Sequence, residues 1–146
     1  MAKRIGKYKV TKRDSALSLV DGGISSGNLT TAVGLTLGTQ TVAAAGSDQA
    51  GAGAISATGG PVVFVTGADN TKGVRLPLLS AVNVGQLVLV CNNLENKTLE
   101  IYPGSGDAIN VLSDNGGLTV AADTITMFIK MDSAEWFAAE LPVVAA

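Results

Sequence analysis

The run ITMFIKM, residues 125–131, shows most directly how this chain folds. Apolar Ile and Met side chains occupy every second position, and Thr126, Phe128 and Lys130 fill the positions between them. A period of two places these two sets on opposite faces of an extended strand. The run therefore predicts a long β-strand.

Shorter runs of the same kind lie along the chain on both sides of it. We predict strands at residues 62–65, 86–91, 98–102, 108–111, 118–120 and 135–139. The segments between them are rich in Gly, Asn, Asp, Ser and Pro, which are turn-forming residues. Short strands repeating every ~8–12 residues are typical of a β-sandwich or barrel, and no helix of any length fits the pattern.

Composition divides the chain into three parts. Residues 1–20 form a basic extended arm with too few apolar groups to fold alone, and residues 61–146 form the β-sandwich body. Residues 21–60 are rich in Gly, Ala, Ser and Thr, and we expect either short strands or an extended loop there. At 146 residues the chain is long enough for one domain with an arm, and it needs no disulfide to fold.

Charge is distributed very unevenly. The formal net charge is −2, but six of the ten basic residues lie within the first thirteen positions. The remainder carries four basic and twelve acidic residues, a net charge of −8. The sequence therefore predicts a basic tip on an acidic body.

The residue types that carry most enzyme chemistry are missing or scattered. There is no histidine, which removes the commonest general base and the usual metal ligand. The aspartates of the body lie singly in predicted turns, at Asp69, Asp107, Asp114, Asp123 and Asp132. Their spacing shows neither a carboxylate pair nor a calcium loop, and the glycine-rich segments lack the Lys-Ser/Thr of a phosphate loop. We predict that the chain is not an enzyme and binds no metal or cofactor.

The single cysteine, Cys91, ends an apolar run, so we expect a buried small hydrophobic side chain; a reactive thiol is the alternative. No apolar run approaches the ~18 residues of a membrane span, and no apolar segment follows the basic start as in a signal peptide. We therefore expect cytoplasmic synthesis and no membrane partner.

A set of motifs over about residues 61–140 resembles head decoration proteins of tailed bacteriophages. The motifs are Lys72-Gly73-Val74-Arg75-Leu76-Pro77, Asn92-Asn93, Ile101-Tyr102-Pro103, Gly106-Asp107-Ala108-Ile109-Asn110 and Trp136. The resemblance implies an antiparallel, jelly-roll-like sandwich that sits on the shell, often as a homotrimer. Each motif taken singly is also explained by a strand end, a turn or a core aromatic residue.

The resemblance and the absence of catalytic groups together predict a structural virion protein. It would bind the major capsid protein on the outer surface of a phage head, after synthesis in the host bacterial cytoplasm, and stabilise the shell by bridging capsid subunits. A receptor- or carbohydrate-binding module of a head or tail fibre is the alternative.

The basic arm is the candidate binding element. Its contact residues would be Lys3, Arg4, Ile5, Lys7, Tyr8, Lys9, Val10, Lys12 and Arg13. We expect the lysines and arginines to contact acidic neighbouring subunits, with the apolar side chains filling notches between them. Nucleic acid is disfavoured as a partner because the acidic body would be repelled by phosphates and only Tyr8 could stack on bases. A solvated tail without a function is the remaining alternative.

Overall fold

A computed structural model of the chain describes residues 36–141, and the regular secondary structure of this part is almost entirely β-strand. In chain order the strands are β1 (Thr39–Ala43), β2 (Gly53–Ala54), β3 (Val62–Thr66), β4 (Gly73–Arg75), β5 (Leu87–Asn92), β6 (Leu99–Tyr102), β7 (Ala108–Ile109), β8 (Leu118–Val120), β9 (Thr124–Lys130) and β10 (Glu135–Leu141). One 3-10 turn, Leu79–Ala81, lies between β4 and β5, and residues 36–141 contain no α-helix. The expectation of an all-β fold is confirmed.

The strands form two sheets, and the chain alternates between them. Six strands make one sheet in the order β1-β3-β5-β9-β10-β7, and four make the other in the order β2-β4-β6-β8. From β1 to β6 each strand leads into the opposite sheet, so successive strands within a sheet pair in parallel. This is a β-solenoid-like coil of three turns. Antiparallel pairing of β8 with β6, and of β9 with β5 and β10, completes the body.

The expectation of an antiparallel, jelly-roll-like sandwich is not confirmed. Among residues 36–141, five of the eight strand pairings are parallel and three are antiparallel, so both sheets are mixed. Parallel neighbours require a crossover connection, and here the strand in the opposite sheet supplies it. Side chains alternate along a strand in both kinds of pairing, which is why the sequence pattern does not distinguish them.

The described part of the 21–60 segment belongs to these sheets. β1 pairs with β3, and β2 pairs with β4. The small residues permit a close approach of β1 and β2: a Cβ on Gly53 would lie 2.1 Å from the carbonyl oxygen of Ala43. The side chain of Gln40 on β1 holds the turn between β2 and β3. Its Nε2 donates to Gly60 O at 2.8 Å, and its Oε1 accepts from Ser56 N at 3.1 Å.

One hydrophobic core lies between the sheets. Trp136 and Phe128 are its largest side chains, and both are fully buried. The six-stranded sheet also contributes Val63, Val65, Val88, Val90 and Ile109, and the four-stranded sheet contributes Val74, Leu99, Ile101 and Val120. Truncating a buried aromatic side chain of this kind to Ala typically costs ~3–5 kcal/mol. Trp136 is therefore a structural residue of the body, as the sequence also indicated.

Asn and Asp residues form the turns. Five of them have positive φ angles, a conformation that these side chains tolerate better than most: Asn70, Asn96, Asn110, Asn115 and Asp123. The Asn110 amide also extends the β7–β10 pairing, since its Oδ1 accepts from Ala138 N at 2.8 Å and its Nδ2 donates to Ala138 O at 3.3 Å. Asn and Asp are therefore frequent in the turns because several turn positions require a positive φ angle.

Candidate interaction surface

The face of the six-stranded sheet that points away from the core is apolar. We call it the outer apolar face, and define it by Val62, Phe64, Leu87, Leu89, Cys91, Ile125, Met127, Ile129, Phe137, Ala139 and Leu141. Strand register places these side chains in neighbouring rows. One row runs through Phe64, Cys91, Ile125 and Leu141, and the next runs through Val62, Leu89, Met127 and Ala139. The face is therefore continuous over β3, β5, β9 and β10.

Several of these side chains are largely open to solvent. Phe137 is 50% exposed, Leu141 is 45% exposed, and Phe64 and Ile125 are each 42% exposed. Single exposed apolar side chains are normal on protein surfaces, whereas contiguous apolar patches are often binding surfaces, and this face is therefore the candidate interaction surface.

β9 shows most clearly that an apolar row of side chains points away from the core. Its inner side chains include Thr126, Phe128 and Lys130, which are all buried, whereas Ile125 on the other side is exposed. The more hydrophobic side of the strand therefore faces outward. The sequence predicted two distinct faces for residues 125–131, and that division is confirmed; only the structure assigns the apolar one to the outside.

Charged and polar side chains are confined to the rim of this face. Thr39 and Thr41 on β1 border it on one side. Asp123 precedes β9 at one end of the strands, and Glu135 begins β10 at the other end. A shallow depression of about 290 Å³ lies at the Asp123 end, lined in part by Phe64, Cys91 and Ile125. An apolar centre with a polar rim is the general anatomy of protein–protein interfaces.

The outer face of the four-stranded sheet is polar by contrast. Glu100 and Tyr102 of β6 project from it, and the Glu100 carboxylate accepts a hydrogen bond from the hydroxyl of Thr119 on β8. The Tyr102 hydroxyl donates to Ser47 O at 3.0 Å. Burial, followed by the negative charges of Glu100 and Asp48, raises the pKa of Tyr102. This face is occupied by its own hydrogen bonds and carries no comparable apolar patch.

Three of the five carboxylates predicted to lie in turns, Asp69, Asp107 and Asp132, accept backbone hydrogen bonds. Asp69 Oδ1 accepts hydrogen bonds from Thr71 N, at 3.1 Å, and from Lys72 N, at 3.0 Å. Asp132 Oδ1 accepts from Ala134 N at 2.7 Å, and Asp107 Oδ2 accepts from Leu79 N at 2.8 Å. Within residues 36–141, no three His, Cys, Asp or Glu side chains gather in a way that could hold a metal ion.

The motifs that carry the resemblance are structural in this fold. Gly73 and Val74 belong to β4, and a Cβ on Gly73 would lie 2.7 Å from both Glu100 O and Tyr102 Cε2. Asn92 is buried, and its Nδ2 donates to Lys97 O at 2.8 Å and to Ala121 O at 2.9 Å. These residues build strands and turns and form no candidate binding site.

The predicted contact residues of the arm, Lys3, Arg4, Ile5, Lys7, Tyr8, Lys9, Val10, Lys12 and Arg13, lie outside the described residues. The outer apolar face, in turn, was not predicted as a site. A signal for it was present in the sequence, because residues 86–91 are apolar on both sides, which is typical of a strand that is covered on both faces.

No helix in the described range is long and apolar enough to cross a membrane. Comparison of the chain with protein-family models, with curated proteins and with solved structures gives no match.

Proposed function

We propose that this chain is a structural, non-enzymatic protein that decorates the exterior of a tailed-phage capsid and stabilises the shell by bridging capsid subunits. The observation that supports it best is the outer apolar face, a continuous hydrophobic surface with charges only at its rim. Such a surface fits a protein whose work is adhesion to other protein subunits. Asp69, Asp107 and Asp132 accept backbone hydrogen bonds, which favours a structural role for these carboxylates over a catalytic one.

Charge supports a role for the arm in binding the shell. Residues 36–141 contain four basic and ten acidic residues, a net charge of −6, whereas the first thirteen residues contain six basic and no acidic ones. The six positive charges of the arm favour its binding to an acidic surface, which we propose the major capsid protein supplies, and the attraction weakens as salt screens it. The proposed location is therefore the capsid exterior, reached after synthesis in the host cytoplasm.

The number of copies also remains a proposal. The resemblance implies a homotrimer, and self-association is consistent with an exposed apolar face. The jelly-roll likeness contributes nothing to this argument because the sheets are mixed.

A direct test is binding to capsid shells assembled without the protein. The full chain should co-sediment with the shells, and a variant lacking residues 1–13 should remain in the supernatant although it unfolds at the same urea concentration. A matched control replaces Lys3, Lys7, Lys9 and Lys12 with Arg, which preserves the charge and should preserve binding. Undiminished co-sedimentation of the truncated variant would contradict the role of the arm, and failure of the full chain to bind would contradict the function.

A receptor- or carbohydrate-binding module is the alternative predicted from sequence. Phe64 and Phe137 are exposed aromatic side chains and could contact a sugar ring. The face between them, however, lacks the charged and amide groups that fix a sugar by hydrogen bonds. Binding of the full chain to immobilised glycans, lost on Phe137→Ala, would favour this alternative.

A further inference from the structure

We propose that the outer apolar face binds the same face of a second copy of this chain, so that two copies pair about a two-fold axis. The inference depends on the proposed function only in treating this face as a protein–protein interface, and it proposes two copies where the resemblance implies three. It assigns capsid binding and self-association to different parts of the chain, the arm and the sheet.

The composition of the face favours a second copy of this chain as its partner. None of its eleven side chains is charged, and the nearest carboxylates, Asp123 and Glu135, lie at its ends. Interfaces between identical subunits are more apolar than those of transient complexes, in which charged and polar groups are more frequent.

The size of the face fits a weak pair. Four adjacent strands, β3, β5, β9 and β10, with ~4.8 Å spacing and about six residues each give a flat footprint of about 19 Å by about 20 Å, or about 380 Å². The accessible area is larger than this flat footprint because the side chains protrude from it. It still lies below the ~800 Å² per partner of a standard interface, in the range of weak complexes, so pairing should require high protein concentration.

The shape of the face also fits a second copy. Sheets pack on sheets when two twisted, apolar surfaces interdigitate at a separation of ~10 Å, and a second copy supplies a sheet with the same twist. Phe64 on β3 and Phe137 on β10 protrude on either side of β5 and β9, where Leu89 and Met127 are only partly exposed. In a two-fold pair, the Phe64 and Phe137 rings of one copy can pack against the surface of β5 and β9 in the other copy, where the side chains protrude less.

The negative charge of the body predicts how self-association depends on salt. Two copies of the body, each with a net charge of −6 over residues 36–141, repel one another, and the repulsion is weakest when they approach through a face without charges. Added salt should therefore strengthen self-association, because it screens the repulsion and promotes apolar burial. Binding of the basic arm to an acidic surface should respond in the opposite direction.

The test is sedimentation equilibrium of the full chain from micromolar to near-millimolar concentration, at low and high salt. The wild-type chain should approach twice its mass of 14.7 kDa, more completely at high salt. Phe64→Glu and Phe137→Glu should each weaken the pair at least ~30-fold, the effect of losing an interface hot spot. Val111→Glu is the matched control and should change nothing, since Val111 is 100% exposed and lies outside the face.

Four outcomes would overturn the proposal. They are a wild-type chain that stays monomeric throughout, a pair that survives both Glu substitutions, association that weakens with salt, and a mass of three chains, which requires the face to meet a different surface. Circular dichroism of each variant verifies the fold, which these exposed positions should tolerate. Shell binding is measured separately, so failure of the pairing and failure of the capsid function can be distinguished.

Discussion

Lys130 on the inner side of β9 donates a hydrogen bond from its Nζ to the carbonyl oxygen of Leu79, at 2.6 Å. The same ammonium group donates to Val82 O at 2.8 Å, so it joins β9 to the 3-10 turn of Leu79–Ala81 and the residue that follows it. The only ion pair among residues 36–141 is Lys72–Asp69, and Lys130, 9% exposed, is thus satisfied by carbonyl groups. A buried cation with such partners fixes two distant segments to each other.

Replacing Lys130 with Met should therefore lower the free energy of unfolding by about 1–3 kcal/mol, because two carbonyl oxygens lose a charged donor in a buried site. Urea unfolding measures the effect. Lys97→Met is the matched control: Lys97 is exposed, and its loss should change stability by no more than ~0.5 kcal/mol. Equal stability of Lys130→Met and the wild-type chain would show that the hydrogen bonds of Lys130 contribute nothing.

Asp69 should make stability depend on pH in the acid range. Hydrogen bonds from Lys72, and then from Thr71, hold the pKa of Asp69 below its ordinary range in the folded chain. Because the folded pKa is lower than the unfolded one, the stabilisation is complete above about pH 4 and declines as the pH falls further. Asp69→Asn should make the decline in acid less steep.

The measurement is urea unfolding from pH 6 to pH 2. Asp114→Asn is a suitable control, since the Asp114 side chain makes no hydrogen bond to another described residue, and it should leave the slope unchanged. A slope for Asp69→Asn identical to that of the wild-type chain would exclude this contribution.

The close approach of β1 and β2 should be sensitive to a single methyl group. Gly53→Ala places a Cβ 2.1 Å from Ala43 O, and the contact is with backbone that cannot rotate away. We expect a loss of about 1–3 kcal/mol, as in other overpacked positions. Gly51→Ala is the control, because its nearest neighbour would be Asp48 Oδ1 at 3.1 Å, a side-chain atom. Unchanged thermal stability of Gly53→Ala would mean that β1 and β2 do not approach each other this closely.

Cys91 should react slowly while the chain is folded. It is 7% exposed, and burial raises the pKa of its thiol, so less of the reactive thiolate is present at pH 8. The expected result is slow modification by a thiol reagent in buffer and fast modification in urea. A thiol introduced at the fully exposed Val111, in a Cys91→Ser background, should react quickly in both conditions. Equal rates for Cys91 in both would contradict its burial.

Most strand positions could be predicted because each strand carries its own signal. β3, β5, β6, β8, β9 and β10 lie at predicted runs, with ends that differ by no more than a few residues. β4 was not predicted as a strand, since Gly73, Val74 and Arg75 are too few to show a period. The coil was also missed: Val62 pairs with Thr39 and with Leu89, so successive turns span 23 and 27 residues and leave no fixed repeat to detect.

The sequence by itself determined that this chain is built of strands, where its turns lie and which side chains share a face, because alternation and turn chemistry are local properties. Only the tertiary structure decided which face of each strand meets the core. On β9, Phe128 packs inside with Thr126 and Lys130, while the row that contains Ile125 faces outward. That choice depends on which strands become neighbours and on partners such as Leu79 for Lys130, and these contacts join residues far apart in the chain.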